Sequence, residues 1–73
     1  MPNKKMRLRH AILSVLQDAG TPLSSARISE ELNDRGIDIS ERTVRLYLQA
    51  MQDEGLTERS SRRRHRITKQ GVH

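Results

Sequence analysis

The sequence predicts a mainly α-helical (α+β) domain, in which three helices are followed by a two-stranded β-hairpin. Apolar residues recur at helical spacing in three consecutive segments, and a glycine stands where each segment ends, at Gly20, Gly36 and Gly55. After Gly55 the pattern changes to short runs that include β-branched residues, which is typical of strands. A chain of 73 residues suffices for one small domain, so we expect a single unit over residues 1–73.

The first helix is predicted over residues 4–19. Its apolar side chains form one stripe, which consists of Leu8, Ile12, Val15, Leu16 and Ala19. Gly20 and Pro22 then end the helix. Met6 and Leu13 point away from the stripe, so this pair is a candidate contact for a homodimer. Chance exposure of the two residues explains the pattern equally well.

The second and third helices are predicted over residues 25–35 and 41–54, and only a few residues join them. Ser24 or Ser25 suits the N-cap of the second helix and Ser40 that of the third, because a serine hydroxyl can accept a hydrogen bond from a first-turn N–H. A short helix, a turn that contains glycine and a second capped helix make a helix-turn-helix pattern.

The hairpin is predicted over residues 56–69, with two strands on either side of a polar loop. Its stretch "ERSSRRRHRIT", residues 58–68, carries five arginines. We expect Ile67 to return to the core, so this stretch is a hairpin tip anchored at both ends and not a disordered tail. A basic β-ribbon after a helix-turn-helix is the arrangement of a winged helix, and the sequence therefore predicts a winged helix-turn-helix fold.

The net charge of +5 is distributed unevenly along the chain. Residues 1–23 carry four basic side chains against one acidic, residues 24–41 carry two against five, and residues 42–73 carry eight against three. Such asymmetry favours a polyanionic partner such as nucleic acid. The alternative is solubility alone, since many small domains carry a charge of this size.

The outer face of the third helix carries the candidate base-reading side chains. Val44, Leu48 and Met51 share the direction of the core. Four side chains that all lie more than about 90° away from it, on the outer face, are Arg42, Arg45, Leu46 and Gln49. In a major groove, arginine can bind guanine, glutamine can bind adenine and leucine can contact a thymine methyl group. Ser40 and Thr43, near the helix start, suit contacts with phosphate. An ordinary solvated helix surface is the alternative interpretation of this face.

The arginines of the hairpin are candidate contacts to the phosphate backbone or to the minor groove, and they are Arg62, Arg63, Arg64 and Arg66. Both kinds of contact are electrostatic, so we expect binding to weaken steeply as salt rises.

Several classes of function are disfavoured. The chain has no cysteine, and its three histidines lack the spacing of metal ligands. No catalytic motif or phosphate-binding loop stands out, so we expect no enzyme activity, no metal and no cofactor. No apolar run could span a membrane or form a signal peptide, which predicts a soluble, cytoplasmic protein. The chain lacks Phe and Trp, and Tyr47 faces the core, so a platform for stacking single-stranded RNA is missing.

Residues 40–71, "SERTVRLYLQAMQDEGLTERSSRRRHRITKQG", resemble the winged-helix domain at the amino terminus of ribonuclease R and of archaeal transcriptional repressors of the nitrogen-regulation type. The shared elements are a Ser-x-x-Thr-Val opening at Ser40, a Glu-Gly-Leu exit at Glu54, a basic wing and an Ile-Thr-x-x-Gly closing strand that ends at Gly71. The resemblance extends through the first two helices. It departs in the wing, where family members often have glycine and this chain has serines and arginines.

The outward Arg42, Arg45 and Gln49 together with the basic wing predict that the chain binds specific sequences in double-stranded DNA. Because repressors of this family carry a separate effector domain, the resemblance implies either the N-terminal domain of a longer transcriptional regulator or a small stand-alone regulator. The ribonuclease branch of the family implies an alternative, which is an RNA-binding accessory domain. A third alternative is a winged helix that binds only proteins, with Met6 and Leu13 as its anchors.

Overall fold

The computed structural model describes residues 4–61 and 64–68 of the chain. Three helices and three short strands are present in this part, in the order α1 (Lys4–Ala19), β1 (Leu23–Ser24), α2 (Ser25–Asp34), α3 (Glu41–Asp53), β2 (Thr57–Ser61) and β3 (Arg64–Ile67). The strands form one antiparallel sheet in the order β1-β3-β2. The predicted winged helix-turn-helix fold, with three helices before a β-hairpin, is confirmed.

The second and third helices each end one residue earlier than predicted, because Arg35 and Glu54 are C-caps and not members of the last turn. At the start of α2 the serine that caps the helix is Ser24, whose hydroxyl accepts a hydrogen bond from the N–H of Arg27 at 3.2 Å. At the start of α3 the hydroxyl of Ser40 accepts from the N–H of Thr43 at 3.2 Å, as expected. These bonds satisfy N–H groups that the helices themselves leave without partners.

The turns after α2 and α3 have the same construction. The N–H of Ile37 donates to the carbonyl of Leu32 at 2.9 Å, and the N–H of Leu56 donates to the carbonyl of Met51 at 2.9 Å. Both bonds close a Schellman motif, which needs a residue of positive φ just after the helix. Glycine supplies it in both places, with φ of 85° at Gly36 and 81° at Gly55.

We expect Gly36→Ala to lower the free energy of unfolding by about 1–2 kcal/mol, the usual cost of a left-handed conformation for a residue with a Cβ atom. Apart from Gly36 and its two chain neighbours, no residue has an atom within 4 Å of the position that this Cβ would occupy, so the cost is conformational and not steric. Gly36→Asn should cost less, because asparagine tolerates the left-handed region better than alanine. Urea unfolding of the two variants provides the test, and equal losses would contradict this explanation.

Strand β1 is an element that the sequence did not predict. Ser24 was expected only as a candidate N-cap of α2, yet Leu23 and Ser24 also pair with His65 and Arg64 of β3. A two-residue strand has no periodicity, so its role depends on where the hairpin folds back. Between β2 and β3 the register shifts by one residue between Arg59 and Ser61, which is a β-bulge. The wing therefore begins to bend without a glycine.

The core lies where the three helices meet the sheet, and its buried apolar side chains are Ile12, Val15, Leu16, Ile28, Leu32, Ile39, Val44, Leu48 and Met51. Ile67 packs against this cluster, as predicted. Two expectations for α1 are wrong. Ala19 is exposed at the last turn, and Leu13 packs partly against the core instead of pointing outward, because α2 and the sheet cover α1 from more than one side.

Candidate nucleic-acid interface

The outer face of α3 presents the side chains that the helical wheel places there. Arg42, Arg45 and Gln49 are exposed, and Leu46 is 60% exposed although it is a large apolar residue. The opposite face is buried through Val44, Leu48 and Met51. In the described part of the chain, Arg42 makes no ion pair, so its guanidinium is available to a ligand.

An open cleft of about 760 Å³ lies beside this face. It is bounded by the start of α2, one side of α3 and the inner surface of the wing, and its lining residues are Ser24, Ser25, Ala26, Glu41, Arg45, Gln49, Gln52, Asp53, Arg59 and His65. Two of the predicted site residues, Arg45 and Gln49, therefore lie beside residues of α2 and of all three strands.

Gln52 and Arg59 belong to this surface and were not among the predicted site residues. At 100° per residue Gln52 lies about 80° from the core direction, which is just below the angle of about 90° beyond which side chains were assigned to the outer face. It nevertheless follows Arg45 and Gln49 along one side of the helix at i, i+4 and i+7. Arg59 could have been placed by strand alternation, which puts it on the same face of β2 as the buried Thr57.

A hydrogen-bonded group connects the two helices of the helix-turn-helix at the edge of the cleft. Arg45 donates from Nη2 to Oε1 of Glu41 at 2.8 Å and from Nε to the hydroxyl of Ser25 at 3.4 Å. The hydroxyl of Ser25 donates in turn to the same Glu41 oxygen at 3.3 Å. Arg45 and Glu41 are i, i+4 neighbours on α3, whereas Ser25 is the first residue of α2 and is buried.

Ser40 and Thr43, the predicted phosphate contacts, are engaged with each other. Besides the capping bond, their side-chain hydroxyls lie 3.0 Å apart and share a hydrogen bond. Ser40 is exposed and Thr43 is half-buried, so the pair is accessible at the start of α3. Each hydroxyl oxygen has a second lone pair and can still take part in another hydrogen bond.

The arginines of the wing lie on two different faces of the hairpin. Arg59 pairs across the strands with His65, and Glu58 pairs with Arg66. Successive residues of a strand point to opposite faces, so Arg59 and His65 face the cleft while Arg64 and Arg66 lie on the far face. Arg66 forms an ion pair there with Glu58. Arg64 is exposed, and the predicted contacts Arg62 and Arg63 lie outside the described residues.

The imidazole of His65 lines the cleft, and its surroundings change its pKa. Burial of the imidazole lowers its pKa from 6.5, and the positive charge of Arg59 across the strands lowers it further. Its Nδ1 atom is buried and has no hydrogen-bond partner in the described part of the chain. Both facts favour a neutral ring in the folded protein.

We expect the folded domain to lose stability as pH falls below 6.5, the ordinary pKa of His65. Above that pH the ring is neutral in both states; below it the unfolded chain takes up the proton first, which favours unfolding until the lower folded pKa is passed. Urea unfolding at pH 7.5 and pH 5.5 measures how much the free energy of unfolding falls between the two pH values. This decrease should be smaller for His65→Gln than for the unchanged chain. His10→Gln, at an exposed histidine of α1, should behave like the unchanged chain, and a pH dependence equal in all three would contradict the assignment.

Other kinds of site have no support in the described residues. Within residues 4–61 and 64–68, no group of three or more histidine, cysteine or carboxylate side chains is arranged to hold a metal ion. No helix in that part of the chain has the length and apolar character that a membrane span requires.

Comparisons with known proteins agree with this geometry. Residues 10–73 match the family model of the ribonuclease R winged-helix domain. The global nitrogen regulator NrpR of Methanococcus maripaludis is 38% identical over 61 residues, which cover 84% of this chain and 11% of that protein. The global nitrogen regulator NrpRI of Methanosarcina mazei is 39% identical over 46 residues, which cover 63% of this chain and 14% of that protein. The matches thus span only a small part of these relatives' length, and no solved structure matches the chain significantly.

Proposed function

Because the chain belongs to the family of ribonuclease R winged-helix domains, we propose that residues 1–73 form one domain that binds specific sequences in double-stranded DNA. In this proposal the domain is the DNA-binding part of a transcriptional regulator. In this proposal α3 enters the major groove and presents Arg42, Arg45, Leu46 and Gln49 to the bases. The wing, formed by β2 and β3, contacts the phosphate backbone or the minor groove.

The continuous surface made by the outer face of α3 and the neighbouring cleft is the observation that carries the proposal. It combines donors suited to guanine and adenine with an exposed Leu46, and it places Arg59 of the wing beside the helix. A major groove is wide enough to admit an α-helix presenting such a face. The exposed Arg64 adds positive charge on the other face of the wing.

The named relatives support a regulatory role and a chain that is not an enzyme, since both are called global nitrogen regulators. Their far greater length supports the further proposal that effector sensing belongs to another domain of a longer polypeptide. A cytoplasmic location follows if the partner is chromosomal DNA. We also propose that the regulator represses transcription, because the chain resembles the winged-helix domain of transcriptional repressors.

The second candidate is an RNA-binding accessory domain, and the observation that favours it is the description of the matching family as a ribonuclease R domain. In the described part of the chain the surface offers Tyr47 as the one aromatic ring besides histidine, and that ring is half-buried against the core. Recognition of single-stranded RNA usually depends on stacking of bases on aromatic rings, and the described surface exposes little aromatic area for such stacking.

Selection of duplexes from a random pool, followed by competition, tests the proposal. We expect a defined motif to be enriched, and we expect random duplex to compete at least about a hundredfold more weakly. This ratio lies below the roughly 10³–10⁷ of complete DNA-binding proteins, because a single module makes fewer base contacts. Equal binding of enriched and random duplex would contradict sequence-specific binding. Stronger competition by structured RNA would favour the second candidate, and no affinity for either nucleic acid would favour a module that binds proteins.

We further propose that two copies associate through the start of α1, so that two half-sites are read together. Met6 is the candidate anchor because it is 48% exposed, whereas Leu13 packs partly against the core. Met6→Glu should convert a dimer to a monomer in sedimentation velocity, and Met6→Leu should preserve the dimer. A monomer at every concentration of the unchanged chain, or a dimer that withstands Met6→Glu, would exclude this contact.

A further inference from the structure

In the hydrogen-bonded group of Ser25, Glu41 and Arg45, only one edge of the Arg45 guanidinium donates hydrogen bonds. Nε and Nη2 lie along one edge of the planar group, and this edge is occupied by Ser25 and Glu41. A guanidinium has five N–H donors, and two are used here. Both hydrogens of Nη1 and one of Nη2 remain. Two of these donors, one on Nη1 and one on Nη2, point in parallel from the far end of the side chain and form a fork.

The remaining fork has the geometry that recognises guanine. Two parallel N–H donors match O6 and N7 of guanine in the major groove, and this is the commonest specific contact of arginine with DNA. The Arg45 side chain is 65% exposed, so its end reaches solvent while its inner edge is held. The holding partners come from both helices, because Ser25 is buried at the start of α2 and Glu41 is in the first turn of α3.

We propose that Glu41 and Ser25 are positioning residues, which hold Arg45 by one edge so that its terminal fork is directed at a guanine in the recognised sequence. This inference rests on the proposed function. A long side chain fixed before binding loses less conformational freedom in the complex, and a fixed fork penalises the bases that do not match it. Glu41 favours DNA recognition only by holding Arg45, because phosphate repels a carboxylate that faces DNA.

The experiment uses the duplex enriched by the unchanged chain and a series in which each base pair is replaced in turn. Arg45→Ala identifies the guanine that Arg45 reads, as the position where discrimination is lost. We expect Glu41→Gln and Ser25→Ala to lower discrimination at that same position about threefold to tenfold, the typical effect of ordering one long side chain. Discrimination at the other positions should not change.

Two further measurements separate positioning from a general structural effect. Glu41→Gln should bind random duplex more tightly than the unchanged chain, because one negative charge is removed, whereas a damaged fold would bind it less tightly. In the Arg45→Ala background, Glu41→Gln should cause no further loss of discrimination. Glu30→Gln is the matched control, since Glu30 is an exposed carboxylate of α2 outside the cleft. It removes the same charge and should leave discrimination unchanged.

The outcomes separate this inference from the proposed function. If the unchanged chain enriches no motif, sequence-specific binding and the inference both fail. If it enriches a motif but Glu41→Gln and Ser25→Ala retain full discrimination at the Arg45 position, or if that position is not guanine, DNA recognition stands and the positioning role is overturned.

Discussion

Leu48→Ala is expected to destabilise the domain by about 2–5 kcal/mol, the usual effect of truncating a buried leucine. Leu48 is 1% exposed and lies on the core face of α3. A domain of this length has a total stability of roughly 4–11 kcal/mol at 0.05–0.15 kcal/mol per residue. The change therefore removes a large share of the stability, and thermal unfolding should show a Tm lower by roughly 10 °C or more.

Leu46→Ala is the matched control, because it makes the same chemical change two residues away on the same helix. Leu46 is 60% exposed, so its truncation creates no cavity and should alter stability by less than about 0.5 kcal/mol. If Leu46 contacts DNA as proposed, its truncation weakens binding while the fold is preserved. Similar losses of stability in both variants would contradict the orientation assigned to α3.

Arg45→Ala is expected to weaken binding to the enriched duplex by about 1–3 kcal/mol, or roughly fivefold to 150-fold, while binding to random duplex changes much less. The physical reason is that a bidentate contact to one base discriminates against the other three. Fluorescence anisotropy with the enriched duplex and with a scrambled one measures both affinities. Arg27→Ala removes the same charge from α2, where Arg27 is paired with Glu30 and Glu31, and should leave the ratio of the two affinities unchanged.

The same anisotropy experiment should give a different result for an arginine of the wing than for Arg45. Arg64→Ala should weaken binding to all duplexes alike and reduce the slope of log affinity against log salt by about 1, since a phosphate contact carries no sequence information. A loss confined to the enriched duplex would instead assign Arg64 to base recognition. If Arg45→Ala behaved like Arg64→Ala, the division of roles between α3 and the wing would be wrong.

The helices were predictable, and their ends to within one residue, because the signals for them are local. A serine at the start of α3 and a glycine after each helix act through bonds to residues a few positions away, and the apolar stripes follow directly from the period of the helix. The same period placed Arg42, Arg45, Leu46 and Gln49 on the outer face of α3, and all four are exposed or substantially so. Whether they bind DNA stays a prediction.

Contacts between distant parts of the chain were not predictable in this way. Leu13 was expected outside because a helical wheel shows one buried stripe, whereas α1 packs against both α2 and β3 and buries a wider face. The pairing of β1 with β3, the register that turns Arg59 toward α3, and the contact of Ser25 with Arg45 each join residues far apart in sequence.

The amino-acid sequence by itself therefore determined the class of fold, the ends of its helices, the outward face of α3 and the concentration of positive charge in the wing. Those properties depend on the spacing of apolar residues, on the residues that cap the helices and on composition, all of which are set by residues close together along the chain. Only the tertiary structure decided that Arg59 and His65 share a cleft with α3, and that Arg45 is held by α2 through Ser25. Packing and strand register set these relations, because they bring together side chains that no local pattern connects.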